Sequence, residues 1–513
     1  MPSAPTDATG QSPERAGEVR YRSPRGRMIL LTTVLGSGIA FLDGTVVNIA
    51  LPAIGEDFNA GLSGLQWTVN AYALTLAGLL LFGGSLGDHV GRRKVFVIGV
   101  VWFAVASLLC AIAPSIETLI AARAIQGVGA ALLVPGSLAL IEASFHPDDR
   151  GVAIGAWAGL AGVSTAVGPF LGGWLVEAVS WRLIFVINLP LAAVVVWAAR
   201  QVPESSDPAA RGHRLDIRGA VLAALGLAGV TYALTEGPQV GWGSAGTVIV
   251  GVAGIVALVV FIVVEARAPH PLLPLDLFHI SLFNAANAMT FVVYGALGAA
   301  LFLLPIQLQQ VAGYSPIEAG SSLIPMTIVM LLLSSRAGHL AQRIGPRIPM
   351  SVGPIVAGCG LALLTRDGPN ADYITEVLPG ILVFALGMSI TVAPLSVTVL
   401  GAAGPARAGV ASAVNNAVAR VAGLLAVAVI PVAAGITGDD YLVPASFNEG
   451  FKTGILICAG LCIVGGVLAG ITIRPPAATG PGPETPTHSC LNGPPPEITD
   501  TPHEPPLGAP VTS

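Results

Sequence analysis

The chain has 513 residues, of which 53% are hydrophobic and only 10% charged, with a formal net charge of −5. A soluble domain carries roughly 25% charged residues, so a water-soluble fold of this size is excluded. The apolar residues fall in blocks of about 20 or more, long enough to cross a bilayer core of roughly 30 Å.

Residues 1–27 are polar, carry Arg15, Arg20, Arg22, Arg25 and Arg27, and read as a cytoplasmic tail. The apolar stretch that follows is too long for a signal-peptide core and has no clear cleavage site, so it is the first expected membrane helix. In chain order the apolar segments are about 28–51, 67–87, 95–113, 118–142, 151–176, 181–199, 217–236, 244–264, 281–305, 317–340, 346–364, 375–400, 406–436 and 450–473. Backbone groups cannot stay unpaired in hydrocarbon, so these fourteen segments are expected to be transmembrane helices of an all-α integral membrane protein. From 474 to 513 the chain is dense in proline and is expected to be a disordered cytoplasmic tail.

With the N-terminus inside, alternate loops hold nineteen of the 24 Lys and Arg residues, among them Arg92, Arg93, Lys94, Arg336, Arg343 and Arg347. That bias predicts a multi-pass protein of the plasma membrane with both ends cytoplasmic.

The chain also repeats itself. "GSLGDHVGRR" after the second span matches "GHLAQRIGPR" after the tenth, and "DRGVAIGA" and "VPGS" match "RAGVASAV" and "APLS" at nearly the same offset. A repeat every eight helices in a chain of fourteen means 6 + 2 + 6. The expected halves are 28–200 and 281–473, related by a pseudo-twofold, with 201–280 holding the inserted seventh and eighth helices. Two six-helix halves with a site between them near mid-membrane are a transporter plan.

Several motifs together resemble the major facilitator superfamily, in its fourteen-helix drug:proton antiporter branch. "GSLGDHVGRRK" resembles its loop signature, "FLDGTVVNIALP" its first-helix signature and "RAIQGVGAALLVP" its fourth-helix motif. "GVSTAVGPFLGGWL" resembles the fifth-helix motif of exporters, and "WRLIFVINLP" and "PLLPLDLF" resemble signatures of the fourteen-helix branch. The resemblance covers about 28–473. It implies multidrug or antibiotic efflux, proton coupling, and alternating access across a cell membrane.

Asp43 lies past the middle of the first span, where a carboxylate costs on the order of 3 kcal/mol. A carboxyl at that depth should face a cavity or a partner and is suited to exchanging protons; a purely structural aspartate bonded to Thr45, Asn48 or a neighbouring helix is the other reading. Arg123 can reach the same depth, or snorkel to the outer surface. It stays charged and cannot carry the proton itself, and the resemblance links it to proton coupling, with Gln126 and Gly127 continuing its motif. Neither charge recurs in the second half, where Ala296 and Ile381 stand at the matching positions. Arg420 is a third charge within a span, fitting either packing against a helix end or binding an anionic group.

Gly84, Asp88, Gly91, Arg92 and Arg93 form the expected gating latch, weakened in the second copy by Gln342. Gly168, Pro169, Gly172 and Gly173 allow close helix approach, and the resemblance places them at the interface of exporters. By analogy, Asn48, Asn284, Asn287, Tyr294, Gln307 and Met388 are candidate substrate contacts in a cavity suited to lipophilic compounds.

Among the five cysteines there is no CxxC pair, and no histidine sits mid-span, so no metal or haem site is expected. There is no nucleotide-binding loop and no catalytic constellation, so neither ATP drive nor enzyme activity is expected. No cofactor, nucleic acid or obligate protein partner is implied; the expected partners are the lipid bilayer, protons and a small-molecule substrate. A dedicated exporter of one self-made metabolite and a nutrient importer of the same fold are the alternatives.

Overall fold

The structure is a computed structural model that describes residues 19–206, 215–404, 407–438 and 440–473, apart from the side chains of Ala161, Ala166 and Asp440. Residues 1–18 and the proline-dense tail from 474 lie outside the described residues. Among the described residues thirteen helices are long and apolar enough to cross a membrane, and a shorter apolar helical stretch, Leu183–Ala199, stands where the sixth span is expected.

The first five spans are α1 (Pro24–Phe58), α2 (Leu62–Val90), α3 (Arg92–Ala111), α4 (Ile116–Ser144) and α5 (Pro147–Ala178). The sixth is broken into α6 (Leu183–Val186) and α7 (Asn188–Ala199). The inserted pair is α8 (Ile217–Val240) and α9 (Ala245–Arg267). The remaining spans are α10 (Ser281–Ile306), α11 (Pro316–Ser322) with α12 (Ile324–Ile344), α13 (Arg347–Leu363), α14 (Leu378–Ala403), α15 (Ala408–Ala433) and α16 (Pro444–Thr472).

Helix ends obey local chemistry. Ser23 caps α1 by accepting from the Gly26 N–H at 3.0 Å, with Pro24 in the first turn. Asn59 stops the helix in a left-handed conformation, φ 48°. Ser115 and Thr118 form a reciprocal capping box on α4. Gly91, at φ 128°, makes the turn between α2 and α3, and a side chain there would run into the Glu204 carboxylate.

The packing scheme occurs twice. α4 lies against α2 and α3, while α1 runs along α5; α14 lies against α12 and α13, while α10 runs along α15. α8 rests on α2 and carries α9, with Gly229 and Gly254 letting the two backbones touch. α9 leaves Ile249, Val252, Ile255, Val256 and Val259 exposed, as a lipid-facing helix should. Asp276 of the "PLLPLDLF" segment pairs with Arg407 just before α15, which fastens the linker to the last six helices.

The hydrogen bonds joining the first six spans to the last six crowd the end away from the arginine-rich loops. There Gln66 Nε2 donates to the Val427 carbonyl at 2.8 Å, Gln309 Nε2 to the Ile49 carbonyl at 3.0 Å, and the Ile317 N–H to Glu177 Oε2 at 3.0 Å. Tyr441 also donates its hydroxyl to the Ala60 carbonyl there.

Candidate functional site

Asp43 stands on α1 amid apolar neighbours and is 1% exposed. Burial of this kind demands partners, and three side chains bond to it directly or through a shared acceptor. Arg123 of α4 reaches Asp43 Oδ2 at 2.5 Å and also donates to Gln126 Oε1 at 2.6 Å and the Thr68 carbonyl at 3.1 Å. Gln126 Nε2 donates to Asp43 Oδ1 at 2.8 Å and to Ser107 Oγ at 2.7 Å. Asn188 Nδ2, at the start of α7, reaches the same two acceptors at 3.1 and 3.2 Å. The guanidinium also sits 4.4 Å from the Tyr72 ring centroid, a favourable cation–π placement.

The helices meet here because small residues let them. A Cβ on Gly127 would lie 2.4 Å from the Tyr72 carbonyl, so α4 can approach α2 only with glycine at this point. Thr75 completes the contact by donating to the Ala124 carbonyl at 2.9 Å. Sequence reasoning brings Asp43, Arg123, Gln126 and Gly127 together; it misses Asn188, Ser107, Thr68 and Tyr72. The available signal for Asn188 is its position as the only polar amide in the apolar run Leu183–Ala199.

The exporter-type stretch on α5 presents two faces. Gly168 and Gly172 seat it on α1, where added Cβ atoms would meet Thr45 Oγ1 at 2.1 Å and Val46 Cγ1 at 3.0 Å. Gly173 and Pro169 turn toward α11: a Cβ on Gly173 would lie 2.3 Å from the Pro316 carbonyl, and one on Gly320 would lie 2.1 Å from the Pro169 carbonyl. The motif thus packs against α1 at Leu42, Thr45 and Val46 and against α11 at the end where the inter-bundle hydrogen bonds gather.

At the arginine-rich end Arg92 Nε, at the start of α3, pairs with Asp88 Oδ1 near the end of α2 at 2.8 Å, across the turn at Gly91. The Arg92 N–H donates to the Ser205 carbonyl at 2.8 Å, the Arg93 N–H to Glu204 Oε1 at 3.0 Å, and Arg93 Nη1 to the Val202 carbonyl at 2.9 Å. This cluster ties the α2–α3 turn to the segment after α7, within the first six spans. Gly84 packs on Pro135 of α4 nearby.

Between the two sets of helices lies a cavity of about 610 Å³. Its walls include Phe41, Asn48, Asn70, Tyr72 and Arg123 from the first six spans, and Tyr294, Ser396, Asn416 and Arg420 from the last six. Of the six expected substrate contacts, Asn48 and Tyr294 are on these walls. The other four are not on these walls. Asn284 donates to the Phe278 carbonyl at the start of α10, and Asn287 accepts from Asn415 at 3.1 Å between α10 and α15. Gln307 is buried at the closed end, donating to the Asp367 carbonyl at 3.1 Å. Met388 is packed in the core at 1% exposure. Each turns a different helix face, or lies at a different depth, from the cavity.

Asp367 follows the eleventh span and is fully buried, with no hydrogen-bond partner on either carboxylate oxygen. Burial first, and the charge of Glu376 second, push its carboxyl up to about 7.

Known proteins share this plan. A family model described as Major Facilitator Superfamily matches residues 33–427. The chain is 35% identical over 405 residues to the multidrug resistance protein Stp of Mycobacterium tuberculosis (strain CDC 1551 / Oshkosh), covering 79% of this chain and 75% of that one. It is 36% identical over 465 residues to the puromycin resistance protein pur8 of Streptomyces alboniger, covering 87% and 91%. The crystal structure of a D-xylose-proton symporter superposes with a TM-score of 0.63 at 16% identity, covering 88% of this chain and 98% of that chain, which shows a common fold.

Proposed function

The chain belongs to the major facilitator superfamily, and from that premise we propose that it exports lipophilic small molecules such as antibiotics across the plasma membrane in exchange for protons. The observation that carries this reading is the buried Asp43–Arg123 ion pair, whose arginine lies on the wall of the inter-bundle cavity. Asp43 is the proton carrier, Arg123 its fixed counter-charge, and Gln126 and Asn188 orient the carboxylate. Protonating Asp43 removes the charge that Arg123 opposes, and a buried charge left alone is unfavourable by about 3–5 kcal/mol. That energy is available to favour one tilt of the two bundles over the other.

The direction is supported by the relatives, whose names speak of resistance, and by the glycine stretch of α5 at the closed end. The arrangement of inter-bundle hydrogen bonds fits a state closed outside and open to the cytoplasm, with both termini cytoplasmic. On this reading the moving units are 28–200 and 281–473, the pair within 201–280 is accessory, and the Asp88–Arg92 cluster holds the cytoplasmic rim of the first bundle. No catalysis, cofactor, nucleic acid or protein partner enters the cycle.

The test is an efflux and resistance panel in a pump-deficient bacterial host, comparing the native protein with Asp43→Asn at matched membrane levels. The variant should insert and fail to respond to an imposed proton gradient. Full gradient-driven efflux by Asp43→Asn would remove Asp43 from the mechanism.

A further inference from the structure

Arg420 is the thirteenth of the 26 residues of α15, roughly 18 Å from either helix end at 1.5 Å per residue. That is too far for the side chain to snorkel to water at a membrane surface. It lies instead on the wall of the central cavity, with its guanidinium 5.7 Å from the Phe41 ring centroid across from the first bundle. Among the described residues no carboxylate lies within ion-pair distance of it. The charge pairing nearby is already complete, since Asp43 behind the wall is matched by Arg123, and the cavity walls themselves carry no acid. The cavity therefore holds one uncompensated positive charge, which arginine cannot shed by losing a proton.

The same cavity also holds unpaired amides. Asn70, fully buried on its wall, has no hydrogen-bond partner for either its Nδ2 or its Oδ1, and the Oδ1 of Asn48 is likewise unpaired. Buried amide groups of this kind are ordinarily satisfied. The remaining surface is apolar and aromatic, from Phe41, Trp157, Leu301 and Phe302.

We propose that the cargo is an amphiphilic monoanion: an apolar or aromatic body bearing one acidic group, a carboxylate or an acidic enol or phenol, that pairs with Arg420 while its neighbouring polar atoms meet Asn70 and Asn48. This deepens the export reading above and rests on it. A guanidinium binds a carboxylate through two parallel hydrogen bonds, so Arg420 acts as a specificity-determining group, and Asp43 remains the proton carrier. A cationic lipophile meets like charge in this cavity and is disfavoured.

The test uses probes of known charge in a pump-deficient host: fusidic acid and novobiocin as acidic lipophiles, chloramphenicol as a neutral compound, and ethidium and tetraphenylphosphonium as cations. Native protein, Arg420→Gln and Arg420→Lys are compared at equal membrane levels, and each purified protein is checked for a cooperative thermal transition. Native protein should raise tolerance to the acids roughly tenfold more than to the cations, the scale of one hydrogen-bonded charge pair. Arg420→Gln should lose the acids selectively, and Arg420→Lys should keep part of that activity. Preference for the cations, equal export of all three classes, or an acid preference unchanged in Arg420→Gln would each overturn the proposal. So would export of chloramphenicol alone, while gradient-driven export abolished by Asp43→Asn would in that case leave the export reading standing. If no probe is moved by native protein under a proton gradient, both fall together.

Discussion

Asn188 and Asp43 are joined by a hydrogen bond of 3.1 Å, from the amide Nδ2 to Oδ1, which fastens the break in the sixth span to the buried acid of the first. A hydrogen bond to a charged group contributes about 1.5–3 kcal/mol. Asn188→Ala should therefore leave the protein inserted and slow gradient-driven efflux roughly tenfold, with Asn188→Asp or Asn188→Leu no better. An initial-rate efflux assay reads this, and a native rate in Asn188→Ala would reduce the residue to packing.

Asp43 and Arg123 should behave as one unit in stability. Arg123→Ala alone strands a carboxylate at 1% exposure and should destabilise the protein by about 3–5 kcal/mol. Adding Asp43→Asn removes the stranded charge, so the double variant should melt higher in detergent than Arg123→Ala alone while transporting no better. Simple additivity of the two substitutions would show that the pair is not coupled.

Gly320 offers a handle on the closed end. A Cβ there would lie 2.1 Å from the Pro169 carbonyl, closer than real side chains approach, so Gly320→Val must push α11 from α5. Efflux should fall severalfold, less so for Gly320→Ala, with the cavity more often open to the outside. A cysteine at Thr45 in a background lacking the native cysteines should then react faster with a membrane-impermeant thiol reagent added externally; unchanged labelling would separate Gly320 from closure.

Asp367 predicts a pH dependence of stability. Its carboxyl is raised from 3.8 to about 7 in the folded chain, so the folded state binds the proton more tightly than the unfolded state. The associated stability is complete below the unfolded value and is lost as pH climbs through about 7. Asp367→Asn keeps a neutral side chain at every pH. Each tenfold difference in proton affinity between the folded and unfolded chain is worth ~1.4 kcal/mol. At pH 8 the variant should therefore be more stable than the native protein by on the order of a few kcal/mol, and the two melting curves should converge near pH 4. A native curve that rises with pH, or a gap that does not change, contradicts this.

Much of this architecture is readable from residues alone, because bilayer physics constrains it so tightly. A charge in hydrocarbon needs a reason, so Asp43 and Arg123 stand out from the sequence, and counting residues from the span ends puts them at one depth. Asn188 carries no charge and so no such warning, though it completes the same network. The four candidates that lie off the cavity walls have a different cause. Asn287 and Met388 lie within expected spans and Gln307 just past the end of one, but an apolar span carries no marker of which side, or what depth along it, meets the cavity. Helix ends run longer than expected for a related reason. The first span, expected at 28–51, extends over Pro24–Phe58, since hydropathy marks the hydrocarbon layer while Ser23 and Asn59 mark the helix.

The three charges deep within the spans are unequally shared: Asp43 and Arg123 belong to the first bundle, and Arg420 to the second. On the export reading proposed above, fuel and freight are handled by separate bodies, and what one senses reaches the other through their tilt. A hybrid that joins this first bundle to the second bundle of a relative should keep its power source and inherit the relative's taste in passengers. Selection for new cargo can thus act on one side of the machine while the engine on the other is left alone.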